Sequence, residues 1–111
     1  MIGEELKRNE VIYCNFGNNQ KTSVQSGYRY AIVVSNNKGN RFSTVVTVIP
    51  FTTKLKKNLP THLDIENLGT LLAEQIQTIS KMQIIKRVKV ITDEDIIKQI
   101  NDKIKIALDI K

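Results

Sequence analysis

The chain lacks several features that define common classes of protein. Among its 111 residues there is one cysteine, Cys14, so no disulfide can form within the chain, and its apolar neighbours predict a buried thiol. No apolar run is long enough to span a bilayer, and the charged start lacks the pattern of a secretory signal. These absences predict one domain over residues 1–111, located in the cytoplasm and away from membranes.

The chain also lacks the residues of two common catalytic arrangements. It has one histidine, His62, which excludes catalysis by a pair of histidines. Its acidic residues, His62 and Cys14 do not show the spacing of metal ligands. We therefore expect neither a metal ion nor another cofactor. His62 is open to two interpretations, as a structural or partner-facing residue or as an acid–base group.

A third absence concerns charge, because no carboxylate occurs between Glu10 and Asp64. The same stretch carries seven basic residues: Lys21, Arg29, Lys38, Arg41, Lys54, Lys56 and Lys57. The whole net charge of +6 comes from residues 1–60, since residues 61–111 hold eight residues of each sign. Such an asymmetry favours a partner rich in negative charge, above all nucleic acid. An ordinary basic surface is the alternative.

Isoleucine and valine are frequent and aromatic residues few, which favours strands. Apolar and alternating runs predict six strands, at Val11–Phe16, Tyr30–Ser35, Thr44–Phe51, Thr61–Ile65, Thr70–Ile79 and Ile84–Ile91. A turn is predicted at Asn36–Asn40 and a single helical turn at Ser80–Gln83. Thr92 is predicted to be the N-cap, with acids in the first turn, of an amphipathic helix of about four or five turns. This order indicates a small, mainly β barrel or half-barrel with a terminal helix.

Two polar residues stand out at the ends of predicted strands. Arg29 follows the turn at Gly27 and enters the first long strand. Thr52 follows the strand that is expected to neighbour it. If these two strands pair, a guanidinium and a hydroxyl meet at one rim, where they could hold a phosphoryl group. A surface ion pair for Arg29 and a turn-capping role for Thr52 are the alternatives.

Four segments together resemble the MazF/PemK family of toxins from toxin–antitoxin pairs. They read QSGYRYAIVVSNNKGNRFS, VIPFTTKLKK, LPTHLDI and LLAEQIQTIS, and the match extends over residues 7–110. The resemblance implies a half-open antiparallel β-barrel of the CcdB/PemK type with a C-terminal α-helix, usually a homodimer. It also implies a metal-independent mRNA interferase that cuts single-stranded RNA through its 2′-hydroxyl, leaving a 2′,3′-cyclic phosphate and a 5′-hydroxyl. A cognate acidic antitoxin is the implied partner.

The resemblance assigns catalytic roles to Arg29, Thr52 and Glu74. Glu74 is expected to accept a proton if it reaches the site, and otherwise to order a loop or pair with a lysine. The residues expected to contact RNA are basic, aromatic or amide side chains and one threonine near these positions: Lys21, Gln25, Tyr28, Lys38, Thr53, Lys54, Lys56, Lys57 and Gln75.

The chain departs from the family pattern in four places. Asn9 follows Arg8 where the family often has Gly, Val24 stands in place of an acid, Tyr30 in place of Pro, and Ala73 where some members have Arg. The missing acid leaves the identity of the general base open. Two other functions remain as alternatives: a non-enzymatic toxin or binding module of the CcdB type, and an inactive family member.

Overall fold

The computed structural model describes residues 5–18, 25–54 and 57–111. Seven strands and two α-helices make up these residues, with short 3₁₀ turns at Ala73–Gln75 and Lys81–Gln83. In chain order the elements are β1 Glu10–Asn15, β2 Tyr28–Val33, α1 Asn37–Phe42, β3 Val45–Thr52, β4 His62–Ile65, β5 Gly69–Leu72, β6 Gln77–Ser80, β7 Ile84–Val90 and α2 Glu94–Leu108.

The strands form one antiparallel sheet that does not close. Its order is β4-β5-β3-β2-β1-β7, and β6 pairs with β3 beside β5. The long strand β3 lies at the centre, contacting β2 on one side and β5 and β6 on the other. The mainly β, half-open architecture with a C-terminal helix expected from the sequence is therefore confirmed.

Alternation along the strands gives the sheet two faces. One face, with Val11, Ile32 and Ile49, packs against the apolar stripe of α2. The opposite face buries Ile12, Ala31 and other apolar side chains in a second cluster. The two clusters are what hold the ends of the central strands in fixed relative positions.

The sequence predicted one continuous strand at Thr70–Ile79, and this prediction is wrong. The segment is divided into β5, the three-residue turn Ala73–Gln75 and β6. The two strands pair with β3 in different registers on either side of Pro50, which has no N–H to donate to a ladder. The turn takes up the difference in register.

Two smaller predictions also differ from the structure. The turn expected at Asn36–Asn40 is the short helix α1, capped by the Asn36 side chain. The cap of α2 is Asp93 and not Thr92, since the Asp93 carboxylate accepts from the backbone N–H groups of the next turn. A carboxylate at this position also favours the positive end of the helix dipole.

In the part of the chain that is described, no helix is long and apolar enough to cross a membrane.

Candidate active site

Arg29 and Thr52 lie at the same end of neighbouring strands. The strands β2 and β3 pair with each other, and in their register Ala31 is opposite Pro50. Continuing this register by two residues sets Arg29 opposite Thr52. Residues directly opposite each other in an antiparallel pair point to the same face of the sheet. The pairing therefore brings the guanidinium and the hydroxyl to one rim.

The Arg29 side chain is anchored at its base and open at its tip. Its Nε donates to the backbone oxygen of Ser26 at 2.9 Å, and Gly27 adopts the φ of +75° that turns the chain between the two residues. Within the described residues no carboxylate forms an ion pair with Arg29. Its terminal nitrogens are consequently available for an anion, and a guanidinium can bind two oxygens of a phosphate at once.

Thr52 is held tightly at the end of β3. It is 1% exposed, and its Oγ1 accepts from the backbone N–H of Lys54 at 3.2 Å. Gly69 of β5 presses against it, since a Cβ on Gly69 would lie 2.5 Å from the Thr52 carbonyl oxygen. The hydroxyl thus has a fixed position and retains its own proton to donate.

A row of polar residues continues from Thr52 across the sheet. Thr70 is opposite Thr52, and Asp64 is opposite Thr70; the Thr70 hydroxyl donates to Asp64 Oδ1 at 2.5 Å. His62 lies two residues before Asp64 and so shares its face. A polar pocket beside the rim is lined by Asn58, His62, Asp64 and Thr70. Sequence analysis missed this row, although the alternation of polar residues in β4 was a usable signal.

Among the described residues, Glu74 forms its hydrogen bonds and its ion pair with Thr61 and His62, and not with Arg29 or Thr52. Its two carboxylate oxygens accept from Thr61 Oγ1 at 2.7 Å and bond to His62 Nε2 at 2.8 Å. Partial burial raises the pKa of Glu74, but these hydrogen bonds outweigh burial and hold that pKa below its ordinary value. The contacts favour the interpretation in which Glu74 orders a loop, here the turn Ala73–Gln75.

Gln75 connects that turn to the arginine. Its Oε1 accepts from the backbone N–H of Gln25 at 2.8 Å, one residue before the Ser26 carbonyl that binds Arg29. Gln25 itself is buried. The two amide residues expected to contact RNA are thus in contact with each other, next to the Arg29 turn.

The other predicted RNA contacts are dispersed. Thr53, Lys54 and Lys57 are exposed just beyond Thr52, whereas Lys38 is exposed on α1 at the far end of β2. Tyr28 is 61% exposed and points to the face opposite Arg29, because the two residues are consecutive in β2. Lys21 and Lys56 lie outside the described residues. All of these RNA contacts remain predictions.

Two other kinds of chemistry find no support in this region. Cys14 is opposite Arg29 on β1, but burial raises the pKa of its thiol to about 12, so it is protonated and a poor nucleophile at neutral pH. Among the described residues, no three acidic, histidine or cysteine side chains are grouped so that they could hold a metal ion.

Comparison with known proteins decides the family. The sequence model of the PemK-like, MazF-like toxins of type II toxin–antitoxin systems matches residues 7–108. The chain belongs to this family of toxins. The resemblance carried by the four sequence segments is thereby confirmed, and the motif register that assigned roles to Arg29 and Thr52 lies inside the matched range.

Individual relatives of the toxin agree with this assignment. The chain is 33% identical to the endoribonuclease EndoA of Bacillus subtilis, over 78% of this chain and 80% of the relative. It is 31% identical to the endoribonuclease MazF of Staphylococcus saprophyticus, over 78% of each. The fold also matches that of a mycobacterial endoribonuclease solved in complex with its cognate antitoxin, with a TM-score of 0.80, 24% identity and coverage of 96% of this chain and 97% of the other.

Proposed function

We propose that this toxin is an mRNA interferase, a metal-independent and sequence-specific endoribonuclease that cuts single-stranded RNA in the cytoplasm. Both curated relatives described above are endoribonucleases. The observation that carries the proposal is the pairing of Ala31 with Pro50, whose register, continued by two residues, sets Arg29 opposite Thr52 at one rim of the sheet. This rim adjoins the exposed Lys54 and Lys57, in a part of the sequence without carboxylates.

The reaction that fits these residues is transesterification within the RNA. The ribose 2′-hydroxyl loses its proton and its oxygen attacks the adjacent phosphorus. The bond to the 5′-oxygen breaks and that oxygen takes up a proton, so that a 2′,3′-cyclic phosphate and a 5′-hydroxyl result. Negative charge builds on the non-bridging oxygens in the transition state, where Arg29 and the Thr52 hydroxyl stabilise it by fixed donors. A guanidinium stays charged at any cellular pH, which suits electrostatic stabilisation better than proton transfer.

Glu74 acts in this proposal through Gln75. Its carboxylate is already bonded to β4 through Thr61 and His62, so it fixes the turn that carries Gln75. Gln75 in turn holds the backbone next to Ser26, the acceptor for Arg29. Direct proton transfer by Glu74 would require these bonds to break, and its catalytic role remains a prediction.

The proposed partners of the toxin follow from the family and from its charge. The mycobacterial structure contains a cognate antitoxin, and an acidic antitoxin segment would complement the basic surface here. A homodimer is also expected. Exposed Ile106, Leu108 and Ile110 at the end of α2 supply apolar surface for such a contact.

The test compares two arginine substitutions of equal charge. Arg29→Ala should reduce RNA cleavage by at least about a hundredfold, as loss of a transition-state donor does, while circular dichroism shows an intact fold. Arg41→Ala is the matched control, because Arg41 is exposed and its ion pair is with Glu5; it should retain cleavage. EDTA should leave the rate unchanged.

Two results would contradict the proposal. One is equal cleavage by the Arg29→Ala and Arg41→Ala variants. The other is intact RNA with every variant, and inhibition of gyrase in a parallel plasmid assay would then favour the alternative of a CcdB-type toxin.

A further inference from the structure

All three tyrosines of the chain lie in one cluster on the face of the sheet opposite Arg29. Tyr13 on β1 is directly across from Tyr30 on β2, with ring centroids 5.1 Å apart. The Tyr28 ring stacks on Tyr13 at 6.2 Å, with 18° between the ring planes. Tyr30 packs against the apolar core, which anchors the cluster, whereas Tyr28 is 61% exposed.

Two lysines of β7 lie on the same face as these rings. The Lys86 ammonium lies over the Tyr13 ring, 5.8 Å from its centroid, a cation–π arrangement. Lys89 is opposite Val11 and so on the same face as Tyr13. Within the described residues, neither lysine forms an ion pair with a carboxylate.

Free negative charge is missing from the three strands that carry these rings and lysines. The strands β1, β2 and β7 contain one acidic residue, Glu10. It is 3% exposed, and its two oxygens are bound by the Arg87 guanidinium of β7. These three strands therefore place no unpaired carboxylate beside the rings, and the lysines favour an anion there.

We propose that Tyr13, Tyr28 and Lys86 form a second contact surface for single-stranded nucleic acid, in which a base extends the tyrosine stack from the exposed ring of Tyr28 and Lys86 and Lys89 attract the backbone. Every base has a flat aromatic face, so stacking of this kind accepts any sequence. A flat ring pair edged by lysines fits a polymer that alternates bases with phosphates. The surface would thus add affinity without adding sequence preference.

The position of the surface connects it to the proposed cleavage site. Tyr28 and Arg29 are consecutive and point to opposite faces, at the start of β2. A strand with a phosphate at Arg29 can pass around this end and place a flanking base on Tyr28. The inference rests on the proposed function only in taking RNA as the polymer that the toxin meets.

The absence of tryptophan makes the surface directly observable. With three tyrosines and no tryptophan in the chain, the intrinsic tyrosine fluorescence of the toxin comes from this cluster alone. The probe is a 2′-O-methylated RNA 12-mer of mixed sequence, which has no free 2′-hydroxyl and cannot be cut by the proposed reaction. Titrating it into the toxin should quench tyrosine emission, and Tyr28→Ala should weaken binding between about fivefold and 150-fold, the loss expected for one stacked base.

Phe42 provides the matched control. It is 73% exposed and lies under the Arg41 guanidinium at 5.2 Å, but it has no second ring beside it among the described residues. Phe42→Ala removes an exposed ring with a cation above it and should leave binding of the 12-mer unchanged. Lys86→Gln should weaken binding and reduce its dependence on salt.

The outcomes separate this inference from the proposed function. Quenching by the 12-mer supports the surface even if no variant cuts RNA. Equal affinity of the Tyr28→Ala and Phe42→Ala variants, with unchanged tyrosine emission, overturns it even if RNA is cut normally. Tyrosine emission that changes on dilution of the protein and not with the 12-mer also overturns it, because the cluster would then be a contact between copies of the chain.

Discussion

The close approach of Gly69 to Thr52 makes Gly69→Ala a sensitive test of the site. Gly69 adopts a φ of +109°, which residues with a side chain rarely tolerate. A Cβ there would lie 2.5 Å from the Thr52 carbonyl oxygen, a backbone atom that cannot rotate away. Backbone strain and overpacking together should lower the free energy of unfolding by about 2–6 kcal/mol.

The substitution should also affect cleavage in the molecules that remain folded. Relief of the clash moves the end of β3 and with it the Thr52 hydroxyl, and a displacement of about 1 Å can cost about a hundredfold in rate. Urea unfolding followed by circular dichroism gives the stability, and RNA cleavage well below the unfolding midpoint gives the rate. We expect both to fall.

Gly17→Ala separates strain from the clash. Gly17 also has a positive φ, +80°, but a Cβ there would meet no atom within 4 Å. Its substitution should therefore cost only the backbone term, about 1–2 kcal/mol. Equal losses of stability for the two alanine variants would refute the close packing of Gly69 on Thr52, as would full cleavage activity in folded Gly69→Ala protein.

Three further substitutions test other contacts. Glu10→Gln removes the buried carboxylate that Arg87 binds and should cost about 3–5 kcal/mol in urea unfolding; a loss below about 1 kcal/mol, the value of an exposed pair, would contradict its burial. Glu74→Gln should destabilise the toxin at neutral pH, and the difference from wild type should disappear as the pH falls through the lowered Glu74 pKa, whereas a difference independent of pH would exclude a contribution from the carboxylate charge. Cys14→Ala should retain RNA cleavage, and the native thiol should react with a disulfide reagent only after unfolding because its pKa is raised to about 12; rapid labelling of the folded protein would show that Cys14 is accessible.

Much of the fold follows from local patterns in the sequence. The apolar runs around Val11, Tyr30 and Thr44 predicted β1, β2 and β3 to within a few residues, because buried central strands need continuous apolar side chains. The acids after Thr92 and the isoleucine spacing predicted α2. The break at Ala73–Gln75 was not predictable in this way, since it comes from two strands pairing with β3 in different registers and no Gly or Pro marks it.

The site shows the same division between local and non-local information. The motif around Arg29 and the position of Thr52 at a strand end could be read from the sequence. The opposite orientations of Tyr28 and Arg29 could not, because the predicted strand began at Tyr30 and the observed one begins at Tyr28. The bonds from Glu74 to Thr61 and His62 could not, because they join residues on separate elements across the turn. A carboxylate next to a family motif looks catalytic in sequence, whereas its contacts favour a positioning role.

The direction in which a substrate lies across the rim follows from the charges of the polar row. Arg29 stands at one end and Asp64 at the other, with Thr52 and Thr70 between them. A phosphate is attracted to the cationic end and repelled by the carboxylate, whose Oδ1 already accepts from Thr70. Under the proposed function we therefore expect the scissile phosphate over Arg29 and Thr52, and we expect Asp64 to face a donor such as a ribose hydroxyl or a base amine. Asp64→Asn should accordingly make the RNA less selective for this direction of binding, and it should leave the stabilisation of negative charge by Arg29 unchanged.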